Sequence, residues 1–349
     1  MDKTEEAHNI SSSRPNLVAI TMGCPVGIGP EIILRFLAKR KFPEQYFPII
    51  VGDIDVLQRC ANDLQISMPI LAWQPGQHVN TDNIHVIEPK RREGYALHSG
   101  SLHWGAPNKE TGHAAVAYIM EAVRLINTGD LNALVTCPIA KYAIQLAGYA
   151  FPGHTELLAS LCETENFGMM MAGSRLKVSL VTIHKPLAEV ADELDRAEVM
   201  RIINLTGETL IRDFGMAKPR IAVAGFNPHG GESGLFGQEE RVIIEPAIAG
   251  AVSEKWELAG PLPPDTVFKM AFDNRYDAVV AMYHDQGLIP FKLVHFDDGV
   301  NLTMGLPIIR TSVDHGTAYD IAGKGIASDS SLAAAFFLAT EIIGNRKNM

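Results

Sequence analysis

The chain has 349 residues, 47% hydrophobic and 20% charged, with a formal net charge of −10. At ~100–200 residues per domain this length predicts a soluble globular protein of two domains. The acidic balance, without any long Lys/Arg cluster, argues against a nucleic-acid footprint, so an anionic ligand must be caught by local basic groups.

Residues 1–13 are acidic and polar with no apolar core, which predicts neither a signal peptide nor a spanning helix, and residues 1–14 read as a disordered tail. Residues 17–22 form a first strand, and a helix follows with Pro30 at its favoured first position. Residues 47–51 give the next strand, and Asp53 caps the helix after it. Residues 89–110 lack periodicity and read as a long connection. An amphipathic helix at 112–127 and a strand at 133–136 come next. Helices at 195–214 and 238–252 flank a strand near 221, and an Ala-rich helix at 332–343 closes the chain. This alternation predicts an α/β protein with a largely parallel sheet. Cys24, Cys60, Cys137 and Cys162 show no CxxC spacing and fit reduced thiols in a cytoplasm.

Three histidines share one context. His184 follows the apolar run 178–183, His229 the run 221–228 and His284 the run 278–283, each reading as a buried strand. Ligands in open α/β sheets gather past the carboxyl ends of strands, so the three can converge in space. Neutral imidazoles suit a divalent ion, zinc first, with magnesium, manganese or cobalt as other candidates. Gly27-Ile28-Gly29 between a strand and a helix resembles a dinucleotide fingerprint but lacks its third glycine, so it reads as a ligand-facing turn. In residues 314–327, Gly316, Gly323 and Gly325 free the backbone for close approach to a ligand.

That last loop resembles the cofactor loop of isocitrate and isopropylmalate dehydrogenases, which implies NAD or NADP held by His315, Gly316, Thr317, Ala318, Asp320 and Gly323. With Gly153-His154-Thr155-Glu156, Tyr283-His284-Asp285-Gln286-Gly287 and the glycine-rich segments after residues 22 and 227, the chain resembles the 4-hydroxythreonine-4-phosphate dehydrogenase family from about Leu17 to its last helix. Close relatives act on threonate or erythronate 4-phosphate and on a terephthalate cis-dihydrodiol.

The resemblance implies a two-domain isocitrate/isopropylmalate dehydrogenase-like α/β fold with interleaved domains and an active site in the cleft. Residues 15–145 plus 300–349 would form the cofactor side, and 146–299 the central metal-binding and dimerisation domain. It implies metal ligands His184, His229 and His284, and substrate-binding groups His154, Thr155, Lys292, Asn301 and Arg310. Lys292 and Arg310 sit in the apolar stretches 288–294 and 306–309, unlike solvated surface charges. The implied reaction is oxidation and decarboxylation of a phosphorylated four-carbon 3-hydroxy acid, with Lys292, Asp265 and Asp285 as candidate bases. The expected partners are a small anionic substrate and a second copy, in a homodimer with shared active sites to which the 283–286 turn donates His284; neither nucleic acid nor membrane is expected. Cys24 and Ala140 replace residues that are polar in the family, and both are expected near the ligand. Other readings are a terephthalate-type dihydrodiol dehydrogenase and, in another class, a phosphate acetyltransferase-like or non-catalytic ligand-binding paralogue.

Overall fold

A computed structural model describes residues 15–43, 45–90, 97, 99–151 and 153–349. The tail expected at 1–14 and residues 91–96 and 98 of the long connection lie outside the described residues. In chain order the first half contains β1 (Asn16–Thr21), α1 (Gly29–Lys39), β2 (Tyr46–Val51), α2 (Ile54–Asp63), β3 (Ile70–Ala72), β4 (Ile84–Ile87), α3 (Lys109–Asn127), β5 (Ala133–Thr136), α4 (Lys141–Leu146) and α5 (His154–Leu161). The centre contains β6 (Gly168–Ala172), β7 (Lys177–Leu180), α6 (Leu187–Glu193), α7 (Arg196–Arg212), β8 (Arg220–Ala224), α8 (Glu245–Gly250), β9 (Glu257–Leu262), α9 (Pro264–Phe272), β10 (Ala278–Ala281) and α10 (His284–His295). Then come β11 (Val300–Met304), β12 (Arg310–Val313) and α11 (Ser330–Lys347).

All these strands join one sheet in the order β3-β4-β2-β1-β5-β12-β11-β6-β7-β10-β8-β9. The first six are mutually parallel, and so are β7, β10, β8 and β9. Between them the pairs β12–β11, β11–β6 and β6–β7 are antiparallel. The sheet is therefore largely parallel, as expected, but consists of two parallel halves running in opposite directions and joined by an antiparallel centre that the alternation of elements did not predict. The carboxyl ends of the two halves open at opposite edges, so a ligand spanning both must lie along the face of the central strands.

Strand periodicity divides the core between the two faces. In the second half, Met170, Ile221, Val223, Ala278 and Val280 join the large cluster that continues under α1, α3, α7 and α11. Their neighbours Met169, Met171, Val178, Leu180, Ala222, Val279 and Ala281 turn to the other face and pack with Val267, Phe268, Leu288 and Phe291 of α9 and α10.

Local structure departs from expectation at four places. Asp53 occupies the N-cap position of α2 but makes no capping bond; its carboxylate accepts instead from the Tyr118 hydroxyl, and Glu88 takes the Ile54 amide. Helix α3 begins three residues early because Asn108 and Thr111 form a reciprocal capping box. The single helix expected at 238–252 is a π turn, Glu240–Ile244, followed by α8; Pro246 lacks the N–H that would continue the i→i−4 ladder. The 283–286 turn is the first turn of α10. There Gln286 accepts from the Met282 amide at 2.7 Å and donates to the Gly225 carbonyl at 2.7 Å, tying the end of β10 to the end of β8. Among the described residues, no helix is long and apolar enough to cross a membrane.

Candidate active site

A cleft of about 380 Å³ runs along the face of β12, β11 and β6, lined among others by His154, Glu156, His184, Asn301, Arg310 and Asp314. Its deepest charged group is Arg310, the first residue of β12, only 2% exposed. Neutral oxygens hold the guanidinium: Thr136 Oγ1 accepts from Nε and Nη2 at 3.2 and 2.8 Å, and Thr303 Oγ1 and Asn301 Oδ1 accept from Nη1 at 2.9 and 3.4 Å. The Thr136 and Asn301 contacts come from β5 and β11, the strands flanking β12. Among the described residues no carboxylate pairs with it. Burial lowers the Arg310 pKa from 12.5 to about 9, with Glu156 opposing, and the group stays cationic at neutral pH. A desolvated cation held by neutral donor-acceptors is a site for an anion.

His154 and Thr155 open α5, with Gly153 at the N-cap. His154 is half-buried as a residue, but its Nε2 is closed off from solvent and has no hydrogen-bond partner among the described residues. Burial, then repulsion from Arg310, pushes this imidazole well below 6.5 against a bond to the Cys137 backbone. The folded site therefore refuses a proton that the unfolded chain accepts below about 6.5, so its contribution to stability is full above that pH and is lost as the pH falls. Calorimetric melting temperatures should accordingly fall between about pH 7 and pH 5, and less steeply in His154→Gln. Equal slopes would mean that His154 titrates as if in open solvent. Lys141 and Glu156 also line the cleft and were not among the expected site residues. The signal was available: Lys141 directly follows the Pro138-Ile139-Ala140 segment past β5, and Glu156 is the next residue after the His-Thr pair.

At the other end of the cleft lie Asp314, His315 and Gly316, immediately after β12. His315 Nε2 is buried without a partner among the described residues, and a side chain added at Gly316 would meet open space. Two of the expected cofactor contacts thus reach the cleft. Thr317 and Gly323 serve packing instead: the Thr317 carbonyl accepts from the Ile28 amide at 3.1 Å, and a Cβ at Gly323 would lie 2.5 Å from the Trp104 indole. Ala318 and Asp320 do not line the cleft, and Asp320 is exposed. The Gly27-Ile28-Gly29 turn packs against this loop and does not face the ligand space, since a Cβ at Gly27 would meet the Thr317 carbonyl at 3.1 Å. Cys24 and Ala140 are likewise buried behind the cleft wall, with the Tyr319 hydroxyl donating to Cys24 Sγ at 3.4 Å.

The expected bases are distributed differently. Lys292 Nζ lies 3.3 Å from Asp314 Oδ2, so it reaches the cleft only through that carboxylate, whose pKa burial raises while Lys292 opposes. The stretch around Lys292 is core on one side only: Leu288 and Phe291 are buried, while Ile289 and Leu293 are 69% and 87% exposed on α10. Asp285 is exposed and its carboxylate accepts from His284 Nδ1 at 2.7 Å, which orients that ring. Asp265 is exposed in the first turn of α9, outside the cleft.

His184 and His284 follow the neighbouring strands β7 and β10, and their ring centroids are 6.0 Å apart. His229 follows β8, on the other side of β10, but its ring packs against Phe236 at 6.3 Å. Its loop is left-handed from His229 to Ser233. Glu240 fixes the loop's start by accepting from the Phe226 and Asn227 amides at 2.8 and 2.7 Å; burial alone would raise this carboxyl, but those bonds hold it below the usual range. Among the described residues no three metal-binding side chains come together. His184 and His284 thus come into ring contact within one chain, whereas the ring contact of His229 is with Phe236.

The profile of the pyridoxal phosphate biosynthetic protein PdxA family matches residues 44–339. The 4-hydroxythreonine-4-phosphate dehydrogenase of Desulforapulum autotrophicum is 50% identical over 331 residues, covering 95% of this chain and 96% of its own. The D-threonate 4-phosphate dehydrogenase of Salmonella typhimurium is 42% identical over 328 residues, 93% of this chain and 98% of its own. The crystal structure of 4-hydroxythreonine-4-phosphate dehydrogenase from Klebsiella pneumoniae matches with a TM-score of 0.84 at 40% identity, over 95% of this chain and 99% of that one. Sequence and architecture agree over nearly the whole length, and the chain belongs to the PdxA family.

Proposed function

We propose that the protein oxidises and decarboxylates a phosphorylated four-carbon 3-hydroxy acid, 4-phosphohydroxythreonine or threonate/erythronate 4-phosphate, with NAD or NADP. The observation that carries this reading is Arg310, a buried cation in the wall of the cleft with no carboxylate partner among the described residues. A phosphate there would pair with the guanidinium, while Asn301, Thr155 and the neutral His154 supply uncharged hydrogen-bonding groups around it.

His184 and His284 fit a divalent ion as two neutral nitrogen ligands, with Asp285 orienting the second ring. Such an ion supplies positive charge beside the hydroxyl being oxidised. The open backbone at Gly316 and the unpartnered His315 Nε2 fit one end of a nicotinamide cofactor, which supplies the hydride acceptor. Asp314, steadied by Lys292, is the group placed to take the hydroxyl proton. Lys141 adds a cation at the same wall to attract the acid's charge.

The same reading makes the protein a homodimer. Ile289, Leu293 and Phe296, on and just past α10, form an exposed apolar surface of the kind an interface covers, and His229 of a second subunit would complete the His184–His284 pair. The two groups of strands, those of 15–145 and 300–349 and those of 146–299, each contiguous in the sheet, are then the two interleaved domains.

The test is absorbance at the reduced-nicotinamide band on mixing the protein with NAD or NADP, a divalent metal and a panel of acids: the three phosphorylated candidates, their unphosphorylated forms and the terephthalate dihydrodiol. Turnover restricted to phosphorylated acids is expected. Turnover of the dihydrodiol alone, or of no acid in the panel, would overturn the reading.

A further inference from the structure

Behind the sheet, on the face opposite the cleft, lies a second cavity of about 380 Å³. β11 separates the two spaces: Val300 lines the rear cavity and Asn301 the cleft, as alternate residues of one strand must. The rear cavity falls in the size range of small-molecule sites. Its apolar wall is built by Phe214 after α7, Val300, and Ala334, Phe337 and Leu338 of α11. Its polar groups are Ser174, Lys177, Asp298 and Glu341.

Lys177 is the feature that calls for a ligand. It is half-buried at the start of β7, its ammonium stacks 4.9 Å from the Phe214 ring centroid, and among the described residues no carboxylate forms an ion pair with it. Burial lowers its pKa, while the more distant charges of Glu341 and Asp277 oppose the shift. Asp298 is engaged by His295 Nδ1 at 3.0 Å, whereas Glu341 is exposed on α11. A simple anion drawn to Lys177 would meet both carboxylates, and a simple cation drawn to the carboxylates would meet Lys177. A molecule carrying both charges on an apolar body satisfies all three groups and fills the apolar wall.

We propose that this rear cavity is a binding site for a small amphipathic zwitterion, an α-amino acid with an apolar side chain, its carboxylate on Lys177 and its ammonium toward Glu341 and Asp298. The proposal is independent of the reaction assigned to the cleft.

Titration calorimetry on the full chain tests it with leucine and phenylalanine, and with 4-methylpentanoate and isoamylamine as bodies carrying one charge each. At least one amino acid should bind saturably, with both single-charge compounds about tenfold weaker or more, the loss of one ionic contact. Lys177→Met and Glu341→Gln should each weaken amino-acid binding by a similar factor, and Ala334→Phe should abolish it by filling the space. Unliganded melting temperatures verify folding; should Ala334→Phe not fold, the two partly exposed positions decide alone. No saturable binding of either amino acid, equal binding of a single-charge compound, or binding indifferent to Lys177→Met and Glu341→Gln would overturn the proposal.

Discussion

Arg310→Ala should raise KM for a phosphorylated acid roughly 10- to 150-fold, the effect of a lost charge-assisted pair of about 1.5–3 kcal/mol, while NAD affinity changes little. The selectivity follows from position: Arg310 lies at the start of β12, whereas the nicotinamide-side groups His315 and Gly316 lie past its end. Stability of the unliganded protein should move far less than binding, because two effects oppose each other. Removing a desolvated cation relieves a burial cost, and the Thr136 and Thr303 hydroxyls lose the donor they now hold. The clearest readout is therefore differential. Inorganic phosphate should raise the melting temperature of the wild type and leave that of Arg310→Ala unmoved. Arg310→Lys should recover only part of the effect, since a point charge cannot reach Thr136, Thr303 and a phosphate together. Equal losses of phosphate and NAD binding would instead place Arg310 at the cofactor.

Legibility from sequence varied with how local the determining physics is. The buried parallel strands β1, β5, β7, β8 and β10 announce themselves as short apolar runs, and the positions of His184, His229 and His284 past three of them follow directly. The antiparallel centre did not show. β6 reads Gly-Met-Met-Met-Ala, without β-branched residues, and β12 is only four residues long and begins with an arginine, so both are weak strand signals outside the sheet that pairs them. Arg310 is buried as its apolar flank predicts, whereas Lys292, with the same kind of flank, is only partly covered. There the apolar residues belong to a helix that shows Ile289 and Leu293 to solvent, a distinction that only tertiary packing makes. The loop glycines differ for a related reason: Gly316 faces open space, but the space beside Gly323 is filled by Trp104, which is 219 positions away in sequence and carries no local signal.

The position of His229 changes what a subunit-mixing experiment should give. Since His184 and His284 lie together in one chain and His229 apart, a shared metal site in a two-fold dimer would take His184 and His284 from one subunit and His229 from the other. Each single His→Ala protein should fold, because all three rings are at least partly exposed, and should lose most bound divalent ion and turnover. In a heterodimer of His184→Ala with His229→Ala, both lesions fall in the same site and the other site is intact. Random reassortment makes half the molecules heterodimers, so the mixture should regain about a quarter of wild-type activity and metal. His184→Ala mixed with His284→Ala damages one site per subunit and should stay inactive. The opposite pattern, recovery in the second mixture and none in the first, would make His284 the donated ligand, and a fully active monomer would exclude a shared site altogether.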